Sequence, residues 1–450
     1  MSPEGVLRDP SRMPGDSVEV AVAIVGAGAC GLTAAVALRE VGIDCLLIER
    51  DAQPTGSTAL SSGFIPAAHT PWQRAARVAD SAAAFAADIQ AKAKGRAAAH
   101  LVKAYTEASA PALALLARHG IEFELLDGFL YPGHRTRRMH TLPHRSGEAL
   151  MGALQRSAQI PGQTPVLTQA RATALYAQRG GPVHGLVVTR PDGREESLRC
   201  RALLLACNGF GGNPALVRTH LPEFAAAAFA GHVGNDGSAI VFGQALGAGL
   251  ADLAGCQGHG AWVVPQGALL SWAAMVRGGI QVNARGERFH DETQGYSEAA
   301  VQVLAQPGGV AWCVFGEPQL ALLREFPDFR AAEAAGALKA APDPPALAAH
   351  IGCDVANLAR TLDGHALGPP WYAVKVTGAL FHTQGGLDID AHCRVRDIRG
   401  RALPNLLAAG GAARGVSGDT VWGYLSGNGL LSAVAGGYIA AGALIQEMRR

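Results

Sequence analysis

The alternation of apolar and polar positions is clearest near the start of the chain. Residues Val18–Val25 alternate and then run apolar, the pattern of a strand buried in a parallel sheet. Ala29–Val41 follows with helical spacing and strong helix formers, and Asp44–Ile48 is a second apolar strand, so the three predict a β-α-β unit. From Arg74 to Arg118 the chain is Ala-rich with helical periodicity, which predicts two surface helices. Val166–Ala206 consists of short β-like runs separated by Arg179-Gly-Gly-Pro182 and Pro191-Asp-Gly193, a meander signature that ends in the buried strand Ala202–Ala206. Ala239–Leu250 reads as a helix. Between Gly255 and Trp371 the content of Pro, Gly and aromatic residues rises, with helical patches at Ala299–Val303 and Leu347–Leu362. From Val376 the pattern returns to strand and turn, closing in an apolar helix over Leu430–Met448.

These elements predict an α/β fold: a Rossmann-like nucleotide-binding domain with a β-meander, plus an inserted α+β domain. The expected boundaries are a disordered leader at 1–17, a first nucleotide-binding segment at 18–256, the inserted domain at 257–376 and a second segment at 377–450. A chain of 450 residues buries a sizeable core without disulfides or metals. Its net charge of +1, with no basic block, argues against nucleic acid as a partner. The apolar stretches are interrupted by Gly, Asn or charges, so no membrane span is expected. The polar leader lacks the apolar core of a secretion signal, and the reading is of a cytoplasmic protein. The eight cysteines are scattered without a CxxC pair, as for reduced core thiols, and no metal site is expected.

The strongest chemical signal is Gly26-Ala27-Gly28-Ala29-Cys30-Gly31, which follows the first strand and opens the first helix. Gly26 permits the tight turn, Gly28 admits backbone to phosphate, and Gly31 lets helix and strand pack closely. The helix N-terminus offers N–H groups and a positive dipole end to a pyrophosphate. Glu49 closes the next strand at roughly 20 residues' distance, where an acid accepts hydrogen bonds from ribose hydroxyls, and Arg50 stands beside it. Two features favour FAD over NAD. One is the loop Thr55–Gly63, where Gly56, Ser57, Thr58, Ser61, Ser62 and Gly63 give small residues and hydroxyls for a flavin's ribityl and ring. The other is a late Gly-rich segment, Leu406–Gly411, ahead of Gly427-Asn-Gly429, which brings the C-terminus back to the nucleotide fold.

Taken in order, these motifs and Ala206-Cys-Asn208-Gly209-Phe-Gly-Gly212, Asp236-Gly237, Val282–Phe289, His382-Thr-Gln-Gly-Gly386 and Leu407-Ala-Ala-Gly410 resemble the fumarate reductase/succinate dehydrogenase flavoprotein superfamily, which includes the ketosteroid dehydrogenases. The resemblance runs from about Val18 to the C-terminus. It implies an FAD domain in two segments, a capping domain inserted between them, and an active site at the flavin under the cap. It adds Ala172, Asn208, Gly209, Asp236, Gly410, Gly427, Gly429 and Leu430 to the FAD-binding candidates. Covalent attachment in this family uses a His after the ribose acid; Thr55–Thr58 contains none, so the implied FAD is noncovalent.

The resemblance also implies the catalytic candidates. Gln257-Gly-His259-Gly matches the His of a Gln-x-His-Pro segment but lacks the Pro, and His382-Thr-Gln-Gly-Gly386 matches His-Thr-Met-Gly-Gly closely. Both histidines of the family hold a substrate carboxylate or carbonyl. Arg288-Phe-His-Asp-Glu292 is present, but Tyr296 occupies the place of the proton-donating Arg. Ala274 stands where the relay acid belongs, Arg277 remains, Tyr424 replaces a second substrate Arg, and Gly411 replaces an acid. Tyrosines in such places resemble the ketosteroid dehydrogenases. Desaturation beside a carbonyl needs a base for the α-proton, donors for the enolate oxygen, and a hydride acceptor. A tyrosine base, with a reference pKa near ~10, needs cationic or hydrogen-bonding neighbours. Tyr296 is thus the expected acid/base, with Tyr424, His259 and His382 binding a small-molecule carbonyl substrate. The absence of haem and iron–sulfur motifs points to a diffusible electron acceptor or donor. An ene-reductase and a non-catalytic flavin-binding module are the alternatives. His134, His140 and His144 read as a polar loop near flavin or phosphate, not as metal ligands.

Overall fold

Strand β2 (Val18–Val25) lies inside a parallel arrangement because both of its faces are apolar and must be covered. In the computed structural model, which describes residues 5–128, 130–158 and 166–449, helix α1 (Ala29–Glu40) and strand β3 (Cys45–Ile48) complete the expected β-α-β unit. β2 and β3 pair in parallel, Val22 opposite Cys45 and Val25 opposite Ile48. On its other side β2 pairs in parallel with Glu195–Leu205, Val25 opposite Leu205. That strand serves two partners. Its first half pairs antiparallel with Val183–Thr189 of the meander, and its last residues pair in parallel with Ala402–Ala408 from the end of the chain. The nine-stranded sheet therefore draws on both terminal segments of the chain.

The chain divides into two units, one formed by Met1–Leu216, Gly231–Gly255 and His382–Arg450, the other by Val217–Ala230 and Cys256–Phe381. The second unit has its own seven-stranded sheet, in which the long strand Trp371–Thr383 is central and the last two residues of that strand count with the first unit. A separate core of Ile280, Val282, Val314, Leu347 and Leu358 supports it. The expected inserted domain began at Gln257 and omitted Val217–Ala230. That stretch joins the second unit because Ala228 and Phe229 pair with Ala379 and Leu380, and Phe224 is buried there.

Two expectations need correction. The leader is not disordered over its described part. Strand β1 (Leu7–Arg8) pairs with Leu175 and Tyr176, Val6 is buried, and Met13 packs with Ala174, Tyr176 and Val187. Two apolar side chains are enough to anchor a segment whose composition otherwise reads as coil; its first four residues lie outside the described ones. The two helices expected over 74–118 are Ala82–Lys92 and Ala99–Arg118, preceded by the short helix Pro71–Ala75, but the last is no surface helix, with ten buried residues. Among the described residues the closing helix Asn428–Met448 is long and apolar enough to cross a membrane. Its apolar character has a packing cause: 56% of its most apolar stretch is buried in the fold, and a Cβ at Gly437 would lie 2.3 Å from the Cys30 carbonyl oxygen of α1.

Candidate active site

The first unit holds the cradle. Gly26 has φ +108°, and a Cβ there would stand 2.5 Å from the Ala206 carbonyl oxygen. A Cβ at Gly31 would stand 2.0 Å from the Gly26 carbonyl oxygen, so only glycine lets α1 start this close to β2. Gly28 caps α1 without a side-chain hydrogen bond, and a Cβ added there would meet only Thr58 Oγ1, at 3.5 Å. Space and a helix dipole thus meet at Gly28, as an anionic pyrophosphate requires. The Ala27 amide donates to Glu49 Oε2 at 3.1 Å and the Asp51 amide to Glu49 Oε1 at 3.0 Å, fixing the carboxylate at the end of β3. Arg50 donates to the Gly234 carbonyl at 3.1 Å. These residues fit a bound dinucleotide.

The loop of small residues forms a helical turn, Gly56–Ala59. Thr58 Oγ1 accepts from the Ala29 amide at 3.0 Å, and Ser57 Oγ accepts from Asn208 Nδ2 and Asn235 Nδ2 at 3.0 and 2.9 Å. Ser61 Oγ accepts from the Gly63 amide, which ties the turn back on itself, while Ser62 is exposed. Gly410, at φ +62°, packs on Cys30 of α1, and a Cβ at Gly209 would stand 1.9 Å from Thr383 Oγ1. Gly427 caps the closing helix, which Asn428, Gly429 and Leu430 begin. Ala172 is buried in the strand Arg171–Ala177, two residues beyond the Ala170 amide that donates to the Glu49 carbonyl. Asp236 has structural work: it accepts from the Ser238 amide at the start of the helix Ser238–Leu246 and pairs with Arg171 at 2.8 Å.

His382 and Tyr424 also belong to the first unit, and both lie beside Gly429. A Cβ at Gly429 would be 3.5 Å from the Tyr424 hydroxyl and 3.9 Å from His382 Nδ1. Tyr424 accepts from the Gly429 amide at 3.4 Å, and its burial pushes the phenol up to about 12. Burial also pushes His382 down to about 4, so the ring is neutral at pH 7. Gly411, which replaces an acid of the resembling enzymes, has no room for a side chain: a Cβ would stand 2.1 Å from Asn208 Oδ1 and 2.9 Å from His382 Nε2.

The segment carrying Tyr424 is held by a polar hairpin. Arg138 is fully buried, bonding Asp80 and Asp88 at 2.8 and 2.5 Å and lying over the Phe85 ring. His134 accepts from Arg138 at Nδ1 and donates from Nε2 to the Ser426 carbonyl at 3.0 Å. His140 bonds Thr70 and the Arg138 carbonyl. Among the described residues no cluster could hold a metal ion, and all eight cysteines are free.

The second unit holds the other two candidates. His259 sits in the strand Cys256–Val263 between Gly258 and Gly260. A Cβ at either glycine would come within 2.7 Å of Ala300 or 2.6 Å of Ala299, so the glycines allow the helix Tyr296–Leu304 to lie directly on this strand. The Tyr296 ring consequently stacks on His259, with centroids 4.8 Å apart and planes 19° apart. Trp272 meets His259 edge-on at 5.8 Å. His259 Nδ1 accepts from the Ala261 amide at 3.1 Å, and burial pushes the ring down to about 3. Arg288 pairs with buried Glu292, which accepts the Gln281 amide and whose carbonyl accepts Trp272 Nε1. This knot fixes the turn just ahead of Tyr296.

Sequence reasoning missed Gln384, Ser417 and Asn428, which bond one another behind His382. A usable signal existed in Gln384, which departs from the Met of the resembling segment.

A model of the FAD binding domain family matches residues 21–430. The chain is 26% identical over 449 residues to a probable fumarate reductase, Ifc3, of Shewanella frigidimarina (strain NCIMB 400), covering 95% of this chain and 75% of that one. It is 24% identical over 544 residues to 4-oxocyclohexanecarboxylate 2-dehydrogenase of Sinomonas cyclohexanicum, covering 94% and 90%. The fold is similar to that of 3-ketosteroid-delta4-(5alpha)-dehydrogenase from Rhodococcus jostii RHA1, with a TM-score of 0.78 at 24% identity over 97% of this chain and 99% of that one. With a glycine cradle that fits a dinucleotide and a family match over most of its length, the chain belongs to the FAD binding domain family and is an FAD-dependent oxidoreductase.

Proposed function

We propose that the protein is a dehydrogenase that desaturates a C–C bond next to a carbonyl, acting on a cyclic ketone or oxo-acid of the ketosteroid or oxo-cyclohexanecarboxylate kind. The observation that carries this reading is the stack of Tyr296 on His259, a buried phenol against a neutral imidazole. In this reading Tyr296, as its phenolate, takes the α-proton and becomes the phenol, with His259 holding its ring in place. His382 and Tyr424 donate hydrogen bonds to the carbonyl or carboxylate oxygen on which negative charge gathers. Bound FAD supplies the acceptor for the hydride that leaves the β-carbon as the double bond forms. Gly26–Gly31, Glu49 and the turn Gly56–Ala59 hold it noncovalently, and a diffusible carrier takes the electrons away. The relative named 4-oxocyclohexanecarboxylate 2-dehydrogenase supports the substrate class. The free, mostly buried cysteines accord with a reducing, cytoplasmic setting.

A second reading, an ene-reductase acting on an α,β-unsaturated acid, is favoured by the relative named a probable fumarate reductase. An anaerobic absorbance titration separates the two. Bleaching of the oxidised flavin by 4-oxocyclohexanecarboxylate or a 3-ketosteroid is the expected outcome. A flavin that no cyclic ketone bleaches, but that fumarate reoxidises rapidly after chemical reduction, would establish the ene-reductase instead.

A further inference from the structure

We infer that Gln384 is a positioning residue that holds His382 as a hydrogen-bond donor at Nε2, so that the substrate group His382 meets must be an acceptor oxygen. The inference deepens the proposed function and rests on it for the role of His382.

Four side chains of the first unit form one directed chain. Asn428 Nδ2 donates to Ser417 Oγ at 2.9 Å. The Ser417 hydroxyl has one proton, and it donates to Gln384 Oε1 at 2.9 Å. Gln384 Nε2 donates to His382 Nδ1 at 2.7 Å. A neutral imidazole that accepts at Nδ1 carries its proton at Nε2. Asn428, Ser417 and Gln384 are all buried, so water does not compete for these bonds. Backbone bonds hold the glutamine itself, whose amide donates to the Gly255 carbonyl and whose carbonyl accepts from the Gly415 amide.

Two further polar groups near the ring are neutral: the Asn208 amide beside Gly411 and the Tyr424 hydroxyl beside Gly429. With burial holding the imidazole neutral at pH 7, its Nε2–H is a donor without fixed charge. Such a donor recognises a ketone or carboxylate oxygen and leaves an ammonium group, which only donates, without a partner. Methionine at 384, as in the resembling segment, has no N–H to give; it would release the ring's tautomer and strand the Ser417 proton.

The test is the tautomer of His382 in the FAD-loaded protein, read from its two ring 15N shifts, with the resonance assigned by its loss in His382→Gln. The expected spectrum has the proton on Nε2. In Gln384→Glu the carboxylate only accepts, so the proton should move to Nδ1, and KM for the ketone or oxo-acid should rise about tenfold or more with kcat changed less. Gln384→Met should give a mixed tautomer and a smaller rise in KM. A wild-type spectrum with the proton on Nδ1, or a Gln384→Glu spectrum unchanged from wild type, overturns the inference. The wild-type spectrum alone decides if either variant fails to fold. Failure of every ketone to bleach the flavin would refute the proposed function and leave the tautomer result standing.

Discussion

At the scale of single residues, the proposed chemistry turns on side chains that differ from those of the resembling reductases. Tyr296 is buried and stacked where an arginine is expected, so its hydroxyl is the group to remove. Tyr296→Phe keeps the ring and its packing; turnover should fall by at least about 100-fold, the usual size of a general acid–base contribution, with flavin absorbance per chain unchanged. Full turnover in that variant would exclude Tyr296 from the chemistry. Gly411 makes a complementary case. Restoring an acid with Gly411→Glu drives a Cβ into Asn208 Oδ1 and His382. The expected cost is about 1–3 kcal/mol of stability, with lowered flavin occupancy. The double variant Gly411→Glu/Asn208→Gly should recover part of it, since the two side chains compete for one space. Additive losses in thermal melts would contradict that explanation.

At the scale of elements, the second unit shows how helix packing brings the ring of Tyr296 onto His259. The strand bearing His259 has glycines on both sides of it, and the helix opened by Tyr296 rests on them. Gly260→Ala places a Cβ 2.6 Å from that of Ala299, and the helix must move away. Turnover should drop about as far as in Tyr296→Phe while FAD stays bound, because the cradle is built in the first unit; loss of flavin together with activity would show a wider collapse. The hairpin centred on Arg138 shows the opposite economy, in which a buried cation satisfies two acids. Arg138→Met leaves Asp80 and Asp88 with their partner gone, and urea denaturation should register a loss of about 3–5 kcal/mol. A loss below about 1 kcal/mol would mean that Arg135, which also pairs with Asp88, compensates.

At the scale of the whole molecule, the buried neutral histidines tie stability to pH. Burial holds His134, His140 and His382 down to about 4 and His259 to about 3. An unfolded chain takes up these protons near pH ~6.5, well above the folded protein. The unfolded state therefore binds more protons between about pH 6.5 and 4, and stability falls as the pH falls through that window. Each histidine contributes about 1.4 kcal/mol per pH unit there. Melts should move steeply downward from about pH 6.5 to 5 and change little from these groups above about pH 7. A melting temperature that holds level down to about pH 4.5 would show that the rings are not buried neutral.

The order of motifs alone determined the cofactor and the class of fold. A turn that needs φ above zero, a helix that must approach a strand, and an acid closing the next strand are local demands, and Gly26, Gly31 and Glu49 answer them within one short stretch. The meander was legible from apolar runs between turns, and the return of the chain's end to the sheet from the late Gly-rich segment Leu406–Gly411. The ordered leader was not, because pairing at a sheet edge depends on a partner strand more than 160 residues away. Nor was the membership of Val217–Ala230 in the second unit, for the same reason. Tertiary structure alone decided the environment of the candidates. Histidines at 259 and 382 are ordinary letters until burial makes them neutral and their neighbours set which nitrogen holds the proton. Gln384 lies two residues from His382 in sequence, but the bonds that orient it come from Ser417 and Asn428, and only folding brings those together.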